Sequence, residues 1–411
     1  MILGTLRLSP TNIKMWINVM TEKFDLVVFG ASGFTGRLVA EYLSKKAGVS
    51  HNLNWALAGR DVMKLESVKE EMQIPLSIPI LQVDASDRAS IKNMIAKTNV
   101  VLTTVGPYQI YGNELVECCV EAGTDYLDLC GEPAWMHKVI ETHQARAEST
   151  GARIVFSCGF DSIPFDLGVY ALQRKAILRF GGPMHRVKGR VRSMKGTFSG
   201  GTLASFQATM AAAAKDKDIV GVLRNPFALT SDFSGVTQPP GNRAEFDESI
   251  NSWVAPFVMA SINTKNIHRS NYLLDHMYGE DFKYDEMIAT GPGEEGEAIA
   301  VKMSQGNPMA GNNTKPGEGP SKAERESGSY DIVMIGENAK NQTIRLSIKG
   351  DKDPGYGSTS KMIAESGIWL SENPSQSNGG IWTAASLMGI SLVESLEKNA
   401  GITFTEEPNN K

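Results

Sequence analysis

Between Phe24 and Leu43 the chain runs F-D-L-V-V-F-G, then A-S-G-F-T-G, then a stretch in which Leu38, Val39, Tyr42 and Leu43 recur at helical spacing. A short apolar run ending in glycine suits a buried parallel strand, and the apolar stripe that follows suits a helix lying against it. Strand, glycine turn and helix in that order make a dinucleotide cradle the leading expectation, with a bare glycine turn as the alternative. Gly30 permits the tight turn, Gly33 lets the backbone approach a pyrophosphate, and Gly36 lets the helix sit close to the strand. Ser32 and Thr35 add hydroxyl donors at the helix start, where free N–H groups favour an anion, and Phe34 lies between them in the same turn. The spacing is G-x-x-G-x-x-G, a variant more familiar among NADP-preferring folds.

The pattern repeats. N-W-A-L-A-G-R reads as a second strand, and Asp61 reads as the cap of a helix with Val62, Leu65, Val68 and Met72 on one face. I-P-I-L-Q-V-D, N-V-V-L-T-T-V-G-P, D-Y-L-D-L and A-R-I-V-F-S-C supply four more strands, each separated from the next by a helical stretch. Strands alternating with helices imply a doubly wound parallel sheet of the Rossmann type over residues 22–165. Beyond that the rhythm changes, because H-R-V-K-G-R-V-R-S-M-K alternates instead of running apolar. A second, α+β domain with an antiparallel sheet is expected over 166–378. Within it we expect a hairpin from Tyr330 to Lys349 turning near Asn338 to Asn341, helices at Thr202 to Ala214 and Ser252 to Thr264, and a long surface loop over 291–329. Residues 379–411 read as a helix, Gly380 to Lys398, and a strand that pack back on the first domain; residues 1–21 read as a tail.

At 411 residues the chain is long enough for two cores, and its composition, 41% hydrophobic and 21% charged, is that of a globular protein. A formal charge of −5 with no long basic block argues against nucleic acid as a partner. Cys118, Cys119, Cys130 and Cys158 form no paired spacing and the six histidines form no i, i+4 pair. A reducing, cytoplasmic setting and no metal site are therefore expected. No run approaches the roughly twenty apolar residues needed to span a bilayer.

Chemistry-bearing residues gather at the predicted strand ends. An NAD enzyme usually carries an acid at the end of its second strand for the ribose 2′-hydroxyl; here Arg60 stands there, and its guanidinium matches a 2′-phosphate. A solvated helix-start arginine is the alternative. Asp84, past the third strand, is placed to reach the adenine edge or to make a turn. In T-V-G-P-Y, Gly106 and Pro107 would line the nicotinamide side, and the phenol of Tyr108 would face the substrate, donating a proton or steadying an oxyanion, unless it is a packed loop aromatic. Asp128, Cys130 and Glu132 after the fifth strand, and Cys158, Asp161 and Ser162 after the sixth, arrive at the same edge. Tyr108, Glu132 and Asp161 are the candidate catalytic residues; the alternative for each acid is helix capping ahead of Pro133 or Pro164.

G-A-S-G-F-T-G, T-V-G-P-Y, Y-L-D-L-C-G-E and G-F-D-S-I-P-F-D-L-G resemble the saccharopine dehydrogenase-like oxidoreductase family. The similarity continues through S-G-G-T-L-A-S, W-V-A-P-F-V-M-A, G-D-K-D-P-G-Y-G and G-G-I-W-T-A-A, and it extends to the bacterial trans-acting enoyl reductases within that family. Cys130 stands where many relatives carry threonine. The resemblance implies NADP as cofactor and an NADP-binding domain joined to an α+β domain. The expected activity is hydride transfer to a C=C bond of an enoyl, acyl-lipid or polyketide-like chain, free or carrier-linked, or to a C=N bond. Two alternatives stand beside it: a non-catalytic NADP-binding protein seated on a lipid surface or partner, and a saccharopine-type amino-acid dehydrogenase, whose dicarboxylate substrate calls for several arginines in the crevice. Homodimerisation and peripheral membrane association are further expectations. The Y-x-x-x-K spacing of short-chain dehydrogenases occurs at Tyr42 and Lys46, against the cofactor turn, and reads as chance. Arg186, Lys188, Arg190 and Arg192 alternate on one strand face, to grip an anion or simply to meet solvent. The apolar Trp253 to Ile262 run reads as a helix that lines an acyl pocket or belongs to the core.

Overall fold

The computed structural model describes residues 23–47, 53–196, 200–306, 314, 317–374 and 378–408. The expected tail lies outside them. The first part of the chain runs β1 (Phe24–Phe29), α1 (Phe34–Ala47), β2 (Trp55–Gly59), α2 (Val62–Glu71), β3 (Ile80–Gln82), α3 (Arg88–Ile95), β4 (Thr98–Thr103), α4 (Tyr108–Tyr111), α5 (Asn113–Ala122), β5 (Asp125–Leu127), α6 (Pro133–Thr150), β6 (Arg153–Val155) and α7 (Ile163–Phe180). It continues through β7 (Arg186–Lys195), α8 (Gly200–Ala213), α9 (Lys217–Arg224), β8 (Glu245–Asp247), β9 (Ser252–Pro256), α10 (Ala260–Leu273), β10 (Lys283–Gly291), α11 (Gly293–Gln305), α12 (Lys322–Ser327), β11 (Ser329–Glu337) and β12 (Thr343–Gly350). A π-helical turn, Pro354–Ser358, leads into α13 (Thr359–Glu372), β13 (Gly380–Trp382), α14 (Ala384–Leu387), α15 (Gly389–Asn399) and β14 (Ile402–Glu407).

The first sheet has the order β13-β6-β5-β4-β1-β2-β3, and every pair in it is parallel. The chain leaves β1 toward β2 and returns to β4 on its other side, so the crevice of a doubly wound sheet opens above the carboxyl ends of β1 and β4. Strand residues Leu26 to Phe29 and Trp55 to Ala58 are buried on both faces, which is why they read as continuous apolar runs. The second sheet has the order β14-β12-β11-β7-β10-β9-β8. It is mixed, not purely antiparallel, because β7 and β10 pair in parallel, Val187 opposite Tyr284. The β11–β12 hairpin turns where expected: the Asn338 side-chain oxygen accepts the N–H groups of Lys340 and Gln342, both at 3.0 Å, and Asn341 takes a left-handed conformation.

Three sequence expectations are corrected. Ser252 to Thr264 is not one helix: it is β9, hydrogen-bonded to β10, then a turn through Phe257 to Met259, then α10. A short apolar run cannot be assigned by periodicity, and Pro256 ends the strand. The 291–329 segment is not all loop, since α11 and α12 form within it. Glu294 and Glu295 complement the start of α11, and Ser321 with Glu324 makes a capping box on α12. Gly380 to Lys398 is β13 followed by two helices: a capping box at Thr383 starts the first, and Gly389 (φ 50°) separates it from the second. The C-terminal segment divides between the sheets: β13 joins β6, and β14 joins β12.

The cations of β7 are taken up by carboxylates, Arg190 in the interior and the other three while still partly open to solvent. Arg190 is buried against Asp247 and Asp285, Arg186 also pairs with Asp285, Lys188 lies 3.2 Å from Asp247, and Arg192 pairs with Asp331 and Glu407. Tyr42 and Lys46 serve the fold: both bind the buried carboxylate of Glu365, which also accepts from Ser395 and Asn399 and so ties α1, α13 and α15 together. All four cysteines are buried free thiols. Among the described residues no group of three His, Cys, Asp or Glu side chains could hold a metal ion, and no helix is long and apolar enough to cross a membrane.

Candidate active site

A cavity of about 920 Å³ opens along the carboxyl edge of the first sheet and is closed on its far side by α8 and the β9–α10 turn. Its two ends differ in chemistry. At one end lie Ser32, Gly33 and Thr35, together with Arg60 and Lys64. Gly30 has φ 88°, and a Cβ there would stand 2.7 Å from Val105 Cγ2; a Cβ on Gly36 would come within 2.2 Å of the Gly30 carbonyl oxygen. The turn and the close seat of α1 thus both require glycine. At Gly33 a Cβ would meet only the Gly30 oxygen, at 3.2 Å, so this position faces the cavity. The first turn of α1 carries no acid, and the Ser32 and Thr35 hydroxyls hold no protein partner among the described residues. This arrangement fits a pyrophosphate. Phe34 lines the cavity but its ring is engaged elsewhere, edge-on to Tyr356 with centroids 4.8 Å apart and flanked by the Arg37 and Arg325 guanidinium groups.

Asp61 caps α2, accepting the Lys64 N–H at 3.1 Å. That leaves Arg60 exposed at the end of β2, lining the cavity near Asp84 and in no salt bridge among the described residues. Asp84 spends its carboxylate on a turn, accepting the Ser86 N–H at 2.9 Å and hydroxyl at 2.6 Å, and these bonds hold its pKa below the usual carboxylate range. Both bonds fall on Oδ1, so Asp84 takes the turn role while still lining the cavity.

Gly106 lines the cavity, whereas Pro107 lies behind it as the cap of α4. Tyr108 is turned inward: its hydroxyl accepts the Leu129 N–H at 3.1 Å and donates to the Thr103 carbonyl at 3.5 Å, and its ring packs on Trp135. With its hydroxyl engaged by backbone on both sides, the phenol is not left free for a substrate as expected from the sequence, and burial pushes its pKa well above that of a free tyrosine. Glu132 is likewise not placed as an acid. Its Oε1 accepts the Tyr108 N–H at 2.9 Å and the Ser205 hydroxyl at 2.7 Å; its Oε2 accepts the N–H and side-chain amide of Gln109 at 2.9 and 3.0 Å. Four donors converge on one carboxyl group, which clamps the β4 loop to the β5 loop. Asp128 does the same between β5 and β6 through the N–H groups of Cys130 and Ser157, with its pKa pushed up by burial to about 7. The Cys130 sulfur accepts the Glu132 N–H at 3.3 Å.

Asp161 is different. It lines the cavity, makes no hydrogen bond among the described residues, and has its pKa pushed up by burial to about 6. Of the three candidate acid–base groups it alone combines access to the cavity with a proton it can release near neutrality.

The lining contributed by β7, α8, α9 and the β9–α10 turn is mainly apolar: Met194, Phe206, Met210, Leu223, Phe257 and Met259 stand there beside Thr202, Ser205, Thr209 and Ser261, whereas the lining cations, Arg60 and Lys64, come from the end of β2 and from α2. Sequence reasoning missed Phe206, Met210 and Leu223, because only the fold brings α8 and α9 over the strand ends. Tyr356 was present in a resemblance block but carried no signal of its own.

A match to the saccharopine dehydrogenase NADP-binding domain covers residues 26–155. The whole chain is similar to Rv2449c of Mycobacterium tuberculosis, 38% identical over 93% of this chain and 97% of that one. It is also 33% identical to the trans-acting enoyl reductase of Mycobacterium ulcerans, over 91% of this chain and 96% of its relative. An apo saccharopine dehydrogenase (L-Glu forming) from Saccharomyces cerevisiae superposes with a TM-score of 0.48 at 10% identity, covering 93% of this chain and 99% of the other. With the glycine cradle, Arg60 and the family match in agreement, the chain belongs to the saccharopine dehydrogenase-like family, alongside the trans-acting enoyl reductases, as an NADP-dependent oxidoreductase.

Proposed function

We propose that the protein reduces the C=C bond of an α,β-unsaturated acyl chain, carried as a thioester, at the expense of NADPH. The observation that carries this reading is the make-up of the cavity: its lining cations, Arg60 and Lys64, come from the β2–α2 corner beside the glycine turn, and the lining from β7, α8, α9 and the β9–α10 turn is mainly apolar and carries no cation. An amino-dicarboxylate would bury two carboxylates against Met194, Phe257 and Met259 with no compensating charge, at a cost of several kcal/mol. An acyl chain would instead gain from the same contacts, by about 0.8 kcal/mol per buried methylene.

NADPH, when bound, supplies a hydride to the carbon β to the carbonyl. The chain's own residues do the rest. The α1 turn and Arg60 fix the nucleotide, the backbone N–H groups at the Gly106 and Gly131 turns hold the carbonyl oxygen as charge develops on it, and Asp161 gives its proton to the α carbon directly or through one water. The products are the saturated thioester and NADP⁺, and Asp161 recovers its proton from solvent.

The test follows NADPH consumption by the full chain with trans-2-enoyl thioesters of increasing length, beside 2-aminoadipate semialdehyde plus glutamate. The expected outcome is turnover of the enoyl series with kcat/KM rising with chain length. Turnover of the amino-acid pair alone overturns the reading, and turnover of neither by cofactor-saturated protein favours a non-catalytic NADP-binding role.

A further inference from the structure

Helix α8 is anomalous for a globular protein. Its sequence, G-G-T-L-A-S-F-Q-A-T-M-A-A-A, is apolar or small on nearly every side, yet Gly200 is its only buried residue. Helices of that composition are normally surrounded by protein. Gly201, Thr202, Ser205, Phe206, Thr209 and Met210 recur at helical spacing, and these residues line the cavity. The inward face of α8 therefore covers a space and not a core, and Met210 remains 51% exposed.

Among the described residues, the side-chain hydrogen bonds that hold α8 down are few. Ser205 donates to Glu132 at 2.7 Å, Thr209 accepts from the Gln109 side chain at 3.3 Å, and Thr202 hydrogen-bonds the Tyr356 hydroxyl. Its neighbour is better anchored. Although α9 buries none of its own residues, the side chain of Lys265, only 3% exposed, donates to the Leu223 carbonyl in its last turn at 2.9 Å and to the Ser261 carbonyl at 2.8 Å. Helix α8 thus runs from a Gly-Gly pair to a short turn before a pinned helix, with its attachment to the first sheet routed through the carboxylate that also clamps Tyr108 and Gln109.

We propose that α8 is a substrate-gated flap: Phe206 and Met210 form the second wall of the acyl-chain site, the chain itself completes their packing, and the Ser205–Glu132 hydrogen bond latches the flap to the loop at the nicotinamide end. The proposal deepens the reading above, on which its acyl ligand rests. A bound chain would lie between Phe206 and Met210 on one side and Phe257, Met259 and Ile262 on the other, so long chains would close the flap and short ones would not.

Hydrogen exchange of the full chain, saturated with NADP⁺, tests this with a probe that cannot be reduced. Without acyl ligand, amides 203–213 should exchange at least about tenfold faster than those of α7, as expected of a locally opening element. Hexadecanoyl-N-acetylcysteamine should slow them by about tenfold or more, and butanoyl-N-acetylcysteamine should not. Ser205→Ala should speed the ligand-free exchange by about fivefold, and Ser205→Thr should restore it. Exchange in α8 as slow as in α7 without ligand, equal response to both chain lengths, or slowing by protein concentration alone each overturns the flap; the last would mark a second copy as what covers α8. Because the probe is saturated, protection of α8 in a protein that reduces no enoyl thioester would sustain the flap and overturn the reaction, whereas turnover without protection would do the reverse.

Discussion

Arg60 stands where a carboxylate would select NADH, and Asp61 beside it is occupied with capping α2. Arg60→Ala should therefore weaken NADPH binding by about 1 to 3 kcal/mol, the scale of a charge-assisted pair, and leave NADH binding nearly unchanged; titration of both cofactors by fluorescence checks it. Two of the turn glycines should separate by mechanism. Gly36→Ala drives a methyl into the Gly30 carbonyl and should destabilise the fold, whereas Gly33→Val should leave unfolding intact and abolish cofactor binding, since its side chain would occupy the ligand's space. Asp161, with its pKa pushed up by burial to about 6, is the acid only while protonated. Turnover should fall as pH rises through about 6, and Asp161→Asn should lower kcat by about 10²- to 10⁴-fold and flatten that limb of the profile. An unchanged limb in the variant assigns the titration to another group.

At the scale of elements, residues that looked catalytic turn out to hold loops. Glu132 gathers four donors from α4, the Gln109 side chain and α8. Glu132→Gln replaces one acceptor oxygen with an N–H₂ facing a backbone donor, and should cost about 1 to 3 kcal/mol of stability by denaturant unfolding without shifting the pH profile of turnover. The cations of β7 show the same economy. Their alternation was plain in the sequence, but their partners come from β8, β10, β11 and β14, elements up to 215 residues away. Only strand pairing decides whether a row of arginines meets phosphate, water or aspartate.

For the whole molecule, Asp128, Asp166 and Glu286 lie in the interior with pKa values pushed up by burial to about 7, 7 and 8. Each binds its proton more tightly folded than unfolded, so its contribution is fully present below the ordinary carboxylate pKa and is lost as pH rises through the folded value. The unfolding temperature should therefore decline as pH rises from about 4 to about 8, between the ordinary carboxylate pKa and the folded values. Glu286→Gln, which can keep bonds to Asn263 and Tyr284, should reduce that decline; an identical slope would show that Glu286 does not titrate there.

What could be read without a structure was local. The strand–glycine–helix unit, the next five strands, the Asp61 cap and the β11–β12 turn each depend on neighbours within a few residues, where periodicity, capping and turn chemistry act. The turn geometry of Gly30 and Gly36 and the place of Arg60 at the end of β2 were legible for the same reason, since each is set by one stretch of chain. The state of Trp253 to Pro256 was not, because an apolar run fits a strand or a helix equally well until β10 supplies its hydrogen bonds. Nor were the inward turn of Tyr108, the occupied carboxylate of Glu132 or the free one of Asp161. A side chain's chemistry follows from what lies within a few ångströms of it, and at this site those neighbours come from β4, β5, β6, α8 and the turn before α13, which only the tertiary fold brings together.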